Sequence, residues 1–301
     1  MLSEAIDLLN VRPGGRYLDG TLGGGGHTAE MLRRSAPDGR VLSLDVDPKV
    51  IERFCRSFAP LKMTSRWIGV EANFRHLADV ATRERMVPLD GILLDLGVSS
   101  DLLEDPIIGL SFQRTGPLDM RLGPASNDDG LTAAQIVNTW KEREIADLLR
   151  EDGEERYATR IAAAIVSARK VGLIVTTTQL AEIIARAVPS SYERGRIHPA
   201  TRTFQALRIA VNDELNALRD ALVGARDVLA PHGRFVVISF HSLEDRIVKH
   251  EFKNRTYWSP LTKKPLCPTH AEIEQNPRAR SAKLRAAEKN EEYKQSQKSL
   301  L

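Results

Sequence analysis

The chain has 301 residues, 42% apolar and 28% charged, a balance that excludes a disordered polypeptide and allows a substantial core in one large or two moderate domains. No apolar run approaches the roughly 20 residues that span a bilayer. The opening MLSEAIDLLNV carries Glu4 and Asp7 where a secretory leader would be basic and then apolar, so a cytoplasmic location is expected. Net charge is +3, yet residues 249–301 hold 12 Lys and Arg against 6 Glu, a basic segment that fits either solubility or contact with nucleic acid.

The first third alternates short apolar runs with amphipathic stretches, the pattern of βαβ units and a mostly parallel sheet. Strands are predicted near 16–19, 41–45, 66–70 and 90–95, with helices at 27–35, 48–58 and 74–85 between them. Cys55 in this part and Cys267 far beyond it are the only cysteines and lie in no CxxC or Cys/His spacing; inert thiols in a reducing compartment and no metal are expected. Pro48 directly after Asp47 marks a helix start, because its missing N–H is not needed there. After Asp95 the texture becomes turn-rich over 97–130. Helical spacing follows over 131–150, 153–171, 178–188 and 200–229, with Asp152 and Thr178 as start residues for two of these helices. The sheet pattern returns in PHGRFVVISF, an apolar run after a turn. Residues 256–278, with Pro260, Pro265, Pro268 and Pro277, are predicted as loop, SAKLRAAEK as an edge strand and 290–301 as a frayed end. A strand-rich half, a helical interlude and a returning strand imply an inserted domain.

Chemistry concentrates at the ends of the first four strands. Tyr17-Leu18-Asp19-Gly20-Thr21-Leu22 runs into Gly23 to Gly26 and His27 at the mouth of a helix. Glycines let the backbone approach a ligand closely, and the helix start presents unpaired N–H groups. Gly24, Gly26 and Ala29 satisfy the dinucleotide fingerprint, so the loop alone does not separate a nicotinamide cofactor from S-adenosylmethionine. Asp45 ends the second strand, where a carboxylate accepts both hydroxyls of an adenosine ribose; Asp47 beside it reads as a helix cap. Asn73 and Phe74 follow the third strand, the ring suited to an adenine or to the core, and Asp95 ends the fourth. Ligands of open α/β sheets lie beyond the carboxyl ends of strands, so Asp19, Asp45, Asn73 and Asp95 converge on one crevice.

Nine ordered segments, DGTLGGGGH, LDVDP, NF, DGILLDLGVSS, SFQRTGPLDMR, GEERYATRIAAAI, HPATRTFQALRIAVNDEL, FVVISFHSLEDRIVK and NPRARSAKLRAAEK, span about residues 3–289. Together they make the chain resemble the bacterial 16S ribosomal RNA (cytosine-N4)-methyltransferases, the MraW family. The resemblance implies an α/β fold, a Rossmann-like class I S-adenosylmethionine methyltransferase sheet with an inserted all-helical domain. Its expected boundaries are residues 1–102 and 208–301 for the catalytic part and 103–207 for a substrate-recognition insert. It implies S-adenosylmethionine as cofactor, held by Gly25, Gly26, His27, Asp45, Phe74 and Asp95, and 16S ribosomal RNA or the small subunit as partner. The reaction implied is methylation of the exocyclic N4 amine of a cytosine in the decoding region. The pattern departs at Leu102, where the family has a Gln that contacts the cofactor, and in the missing His-x-Pro-Val ahead of Leu2, which suggests a start further upstream.

Methyl transfer is an in-line displacement, so positioning is most of the task. The acidic or amide residue followed by Pro-Pro-aromatic that many amino-methyltransferases carry after the fourth strand is replaced by Asp95-Leu-Gly-Val-Ser-Ser. Candidates for the target pocket are Ser99 with Ser100, Asp119 with Arg121, and His241 with Ser242; the bland readings are a loop ion pair for Asp119 and a helix cap for His241. Arg202, Arg208, Arg246 and the basic tail are candidates for RNA phosphates, against the commoner role of a solvated arginine.

Overall fold

The structure is a computed structural model that describes residues 1–58, 64–98, 100–127, 130–195 and 197–291. The chain divides into two compact units, Met1–Gly97 with Leu215–Leu301, and Val98–Glu214.

The first unit opens with α1 (Leu2–Leu9), β1 (Arg16–Asp19), α2 (Gly26–Arg34), β2 (Arg40–Asp45), α3 (Pro48–Phe58), β3 (Trp67–Glu71), α4 (Leu77–Arg83) and β4 (Leu89–Asp95). The second unit holds α5 (Ser100–Glu104), α6 (Ala133–Thr139), α7 (Glu142–Glu151), α8 (Ala158–Arg169), α9 (Thr177–Ala187) and α10 (Thr201–Asn212). The chain then returns through α11 (Glu214–Val228), β5 (Leu229–Ser239), α12 (Ser242–Phe252), β6 (Trp258–Pro260), α13 (His270–Gln275) and β7 (Lys283–Lys289).

The sheet order is β3-β2-β1-β4-β5-β7-β6. β1 pairs in parallel with β2 on one side and β4 on the other, and β5 runs parallel to β4. β7 is antiparallel to both β5 and β6. The order reverses at β1 and β4: α2, which leaves β1, packs on one face of the sheet and α4, which enters β4, on the other, and in such sheets a crevice opens at the carboxyl ends of the strands where the order reverses. The central strands are buried on both faces, hence their unbroken apolar runs. In β4, Ile92 and Leu94 join the core under α4 and α11, whereas Leu93 packs on the other side with Ile6 of α1 and Met31 of α2.

β1 to β4 fall within a residue of their expected places. Other elements differ for identifiable reasons. α1 was not expected, although Leu2, Ala5, Ile6 and Leu9 have helical spacing; Ala5, Ile6 and Leu9 are its buried face. The segment 256–278 is not all loop, since it supplies β6 and α13. β7 is not an edge strand: it lies between β5 and β6, with Leu284 to Ala287 buried. The edge on this side of the sheet is β6, ending at Pro260, a position that tolerates proline because no ladder N–H is needed.

In the helical unit the expected helix over 131–150 breaks at Trp140, which is extended at φ −68°, ψ 153°. The one over 200–229 breaks at Asp213, left-handed at φ 48°. α9 is capped by Thr176, whose side chain accepts from the Gln179 N–H, rather than by Thr178, and Asp152 closes α7 instead of opening α8. This unit has its own core, including Ile136, Ile145, Leu149, Ile161 and Leu207. Its borders lie at 97/98 and 214/215 rather than 102/103 and 207/208. Leu102 and Leu103 pack on the helical core, as does Val211 of α10. Asn212 also ties α10 down, donating to the Met120 carbonyl at 2.9 Å and accepting from the Leu122 N–H at 2.9 Å.

Candidate functional site

The glycine loop is suspended between strands. Gly20 N–H donates to the Leu93 carbonyl, and Leu22 N–H to the Leu44 carbonyl, each at 2.9 Å. Gly23 and Gly25 have φ of 49° and 75°, the left-handed region that glycine enters without penalty. A Cβ on Gly25 would also lie 2.3 Å from the Phe54 ring, whereas one on Gly24 or Gly26 would meet no atom within 4 Å. Gly25 is therefore demanded by the fold, while Gly24 and Gly26 border open space. α2 begins at Gly26 with no side-chain cap, leaving its first N–H groups directed past the loop.

Beneath the loop runs a hydrogen-bond chain. The Trp67 indole N–H of β3 donates to Ser43 Oγ of β2 at 3.0 Å, Ser43 and Thr28 hydroxyls are 2.8 Å apart, and Thr28 donates to Asp19 Oδ2 at 2.8 Å. Asp19 Oδ1 accepts from the Thr21 N–H at 3.1 Å, and Thr21 Oγ1 accepts from the Asp95 N–H at 2.7 Å. Asp19 is wholly buried. Burial pushes its carboxyl up to about 7 against the opposing pull of Thr28 and Thr21. Asp19 thus braces β1, α2 and the loop, and its side chain is committed inward. Of the four polar strand ends expected to converge on the crevice, Asp19 therefore serves the scaffold instead. Thr21, Thr28, Ser43 and Trp67 were missed, because nothing in the spacing of small hydroxyl residues marks a network that only tertiary pairing assembles.

Asp45 is poised differently. One carboxylate oxygen accepts from the Gly23 N–H at 2.9 Å and the other from the Asp47 N–H at 3.0 Å. Each oxygen keeps a further acceptor site. Burial raises its pKa. Asp47 Oδ1 accepts from the Lys49 N–H at 3.0 Å, the expected cap of α3. Asn73 is buried and caps the short 3-10 turn of Phe74 to His76 by accepting from the Arg75 N–H, so its side chain serves the turn. Phe74 is half-buried beside Gly20, whose Cβ would come within 3.2 Å of the Phe74 Cβ.

Asp95 and His27 face each other across the crevice, with Oδ2 and Nδ1 3.8 Å apart. Among the described residues, Asp95 Oδ1 and His27 Nε2 are buried polar atoms with no partner. Burial drives the Asp95 carboxyl up to about 6 and the His27 imidazole down to about 4. A buried polar atom left unpaired is costly, so this pair is a place where the fold reserves hydrogen-bonding capacity.

The remaining candidates are dispersed. Ser99 lies outside the described residues. Asp119 forms a two-pronged pair with Arg121, both contacts 2.7 Å, in the helical unit, which holds its carboxyl below the usual range. His241 caps α12: its Nδ1 accepts from the Glu244 N–H, and the Glu244 carboxylate accepts from the Phe240 and His241 N–H groups. Arg202 donates to the Glu154 carbonyl, and Arg208 makes a two-pronged pair with Glu214 at 2.8 and 2.9 Å. Arg246 is exposed on α12.

A protein of Symbiobacterium thermophilum named ribosomal RNA small subunit methyltransferase H is 48% identical over 310 residues, covering 96% of this chain and 95% of that one. A Thermomicrobium roseum protein of the same name is 49% identical over 307 residues, covering 96% and 92%, and one of Carboxydothermus hydrogenoformans is 48% identical over 307 residues, covering 96% of each. The match to the MraW methylase family runs over residues 1–290. With the glycine loop, the three acidic strand ends and the helical unit all inside that match, the chain belongs to the MraW methylase family.

Proposed function

We propose that the protein transfers a methyl group from S-adenosylmethionine to the exocyclic N4 amine of a cytosine in the decoding region of 16S ribosomal RNA. The observation that carries this reading is the crevice at the switch point of the sheet, where unfilled acceptors and open glycines lie together. Gly24 and Gly26 border open space, Asp45 keeps acceptor capacity on both oxygens, and Asp95 Oδ1 and His27 Nε2 await partners. This donor set fits a ligand that carries a ribose diol, a flat base and positive charge. Asp45 would hold the ribose hydroxyls, Phe74 would lie beside the adenine, and Gly25, Gly26, His27 and Asp95 would hold the amino acid end.

When bound, the cofactor supplies an electrophilic methyl on a sulfonium. The protein's part is to hold the amine in line with that methyl and to exclude water. The cytosine amine is a weak nucleophile, its lone pair delocalised into the ring, so an acceptor bonded to its N–H assists attack. Ser99, Asp119 and His241 are the groups to test in that role. Asp119 would first have to be shared with Arg121. The base must leave its stack to be reached, and the helical unit is assigned to gripping the RNA around it. Arg202 and Arg208 already hold internal partners, so phosphate contacts by them would be shared. The reaction belongs in the cytoplasm, on free RNA or the small subunit.

Incubating the protein with labelled S-adenosylmethionine and unmodified small subunits, then digesting the RNA for mass spectrometry, should yield N4-methylcytidine. Cofactor binding with no methyl on any cytosine amine would refute the assignment. Asp45→Ala should weaken cofactor binding by about 1–3 kcal/mol, read by calorimetry, through ribose hydroxyls left unpaired.

A further inference from the structure

The sequence of α12, SLEDRIVKHEF, mixes acids and bases and reads as nearly neutral. The fold separates them by face. Glu244 is buried in the cap of the helix. Asp245 is buried against β7, where Arg285 donates to it at 2.6 and 3.2 Å and Lys283 at 3.4 Å. Glu251 accepts from Arg226 on α11, at 2.8 Å for one contact, and from the Trp258 indole N–H at 2.6 Å. Every acid of the helix is thus turned inward and paired. Arg246, Lys249, His250 and the C-cap Lys253 are all exposed, and their spacing puts them on one side of the helix.

The helix dipole favours acids in the first turn and bases in the last. It acts along the axis, however, and does not choose a face; Glu251, in the last turn, opposes it and still faces inward. The stripe also has a direction. α12 starts right after β5, at the carboxyl end of the sheet, close enough to the crevice that the Glu244 charge helps raise the Asp95 pKa. The basic face runs from there outward over roughly two turns, about 10 Å. Linear, exposed positive charge leading away from a site for one unstacked base complements the backbone of the strand that carries the base.

We infer that the outer face of α12, Arg246, Lys249, His250 and Lys253, is a track for the phosphates of the RNA strand next to the target nucleotide. This rests on the proposed function and adds to it the surface by which the sheet unit grips its substrate. Binding of the full chain to an unmodified decoding-region RNA is measured across a salt series, beside cofactor affinity by calorimetry. Lys249→Gln with Lys253→Gln should reduce the slope of log affinity against log salt by about 1.4, at about 0.7 per lost contact to a single strand. Cofactor affinity should not change, which also shows that the variant is folded, and Lys249→Arg with Lys253→Arg should keep the native slope. Arg56→Gln with Arg83→Gln removes equal charge from α3 and α4 and should leave the slope as it is. An unchanged slope in the α12 variant, or an equal fall in the α3 and α4 control, overturns the track. If the unaltered protein methylates no cytosine, the proposed function fails, an outcome read separately from the slope.

Discussion

At the scale of single residues, the glycine loop separates what the fold requires from what a ligand requires. Gly25→Ala places a methyl 2.3 Å from Phe54 at a left-handed φ, so it should destabilise the folded protein by about 1–3 kcal/mol as well as impair cofactor binding. Gly24→Ala meets no protein atom and should leave the denaturation midpoint nearly unchanged; a loss of cofactor affinity in that variant then reports contact with the ligand. Asp95 offers a test in pH. Burial raises its carboxyl to about 6, and a cationic ligand beside it favours the ionised form. Cofactor affinity should therefore hold above pH 6 and weaken as pH falls through it, by up to about tenfold per unit. Asp95→Asn should bind more weakly and lose that dependence; a pH-independent affinity in the native protein would place the cation elsewhere. Asp45 and Asp95 stand out in the sequence because an acid that ends an apolar strand has no packing reason to be there. Asp19 is equally conspicuous and has a different task, since its side chain is taken up by Thr21 and Thr28, a pairing that the sequence does not mark.

Secondary-structure elements were legible where hydrophobic period and punctuation agree, as in β1 to β4 and α3. They were misread where one backbone conformation interrupts a continuing period. The apolar spacing runs on through Trp140 and Asp213, so a pattern reading joins α6 to α7 and α10 to α11. The extended Trp140 and Lys141 and the left-handed Asp213 divide them. Capping is more local and more predictable in its effect. At the start of α6, Thr132 accepts from the Gln135 N–H at 3.2 Å while Gln135 accepts from the Thr132 N–H at 2.7 Å. Thr132→Ala should lower stability by about 1 kcal/mol in urea unfolding. Face selection along α12 was illegible for another reason: which side carries the acids depends on Arg285, Lys283 and Arg226, all far away in the chain.

At the scale of the molecule, the insertion was evident from strands that stop and later resume, and its borders were misplaced by several residues because the residues flanking it join the helical core. Each unit has its own core, so ligand effects should be uneven. Cofactor at about 100 times its dissociation constant adds about 2.7 kcal/mol to the state that binds it. Amide exchange should slow in β1, β2, β4 and the start of α2, the segments that build the crevice. Equal slowing throughout α6 to α9 would show that the two cores respond as one.

The position of β7 bears on how the protein is made. A ribosome that has translated only as far as α12 has produced β5 with one margin unpaired, a row of free N–H and C=O groups along Phe235 to Ile238. The strand that covers this margin arrives about forty residues after β5, on the basis of their places in the chain. Until then the growing polypeptide presents an apolar strand to any neighbour able to pair with it. A message cut short before Lys283 should therefore give aggregates rather than a smaller enzyme.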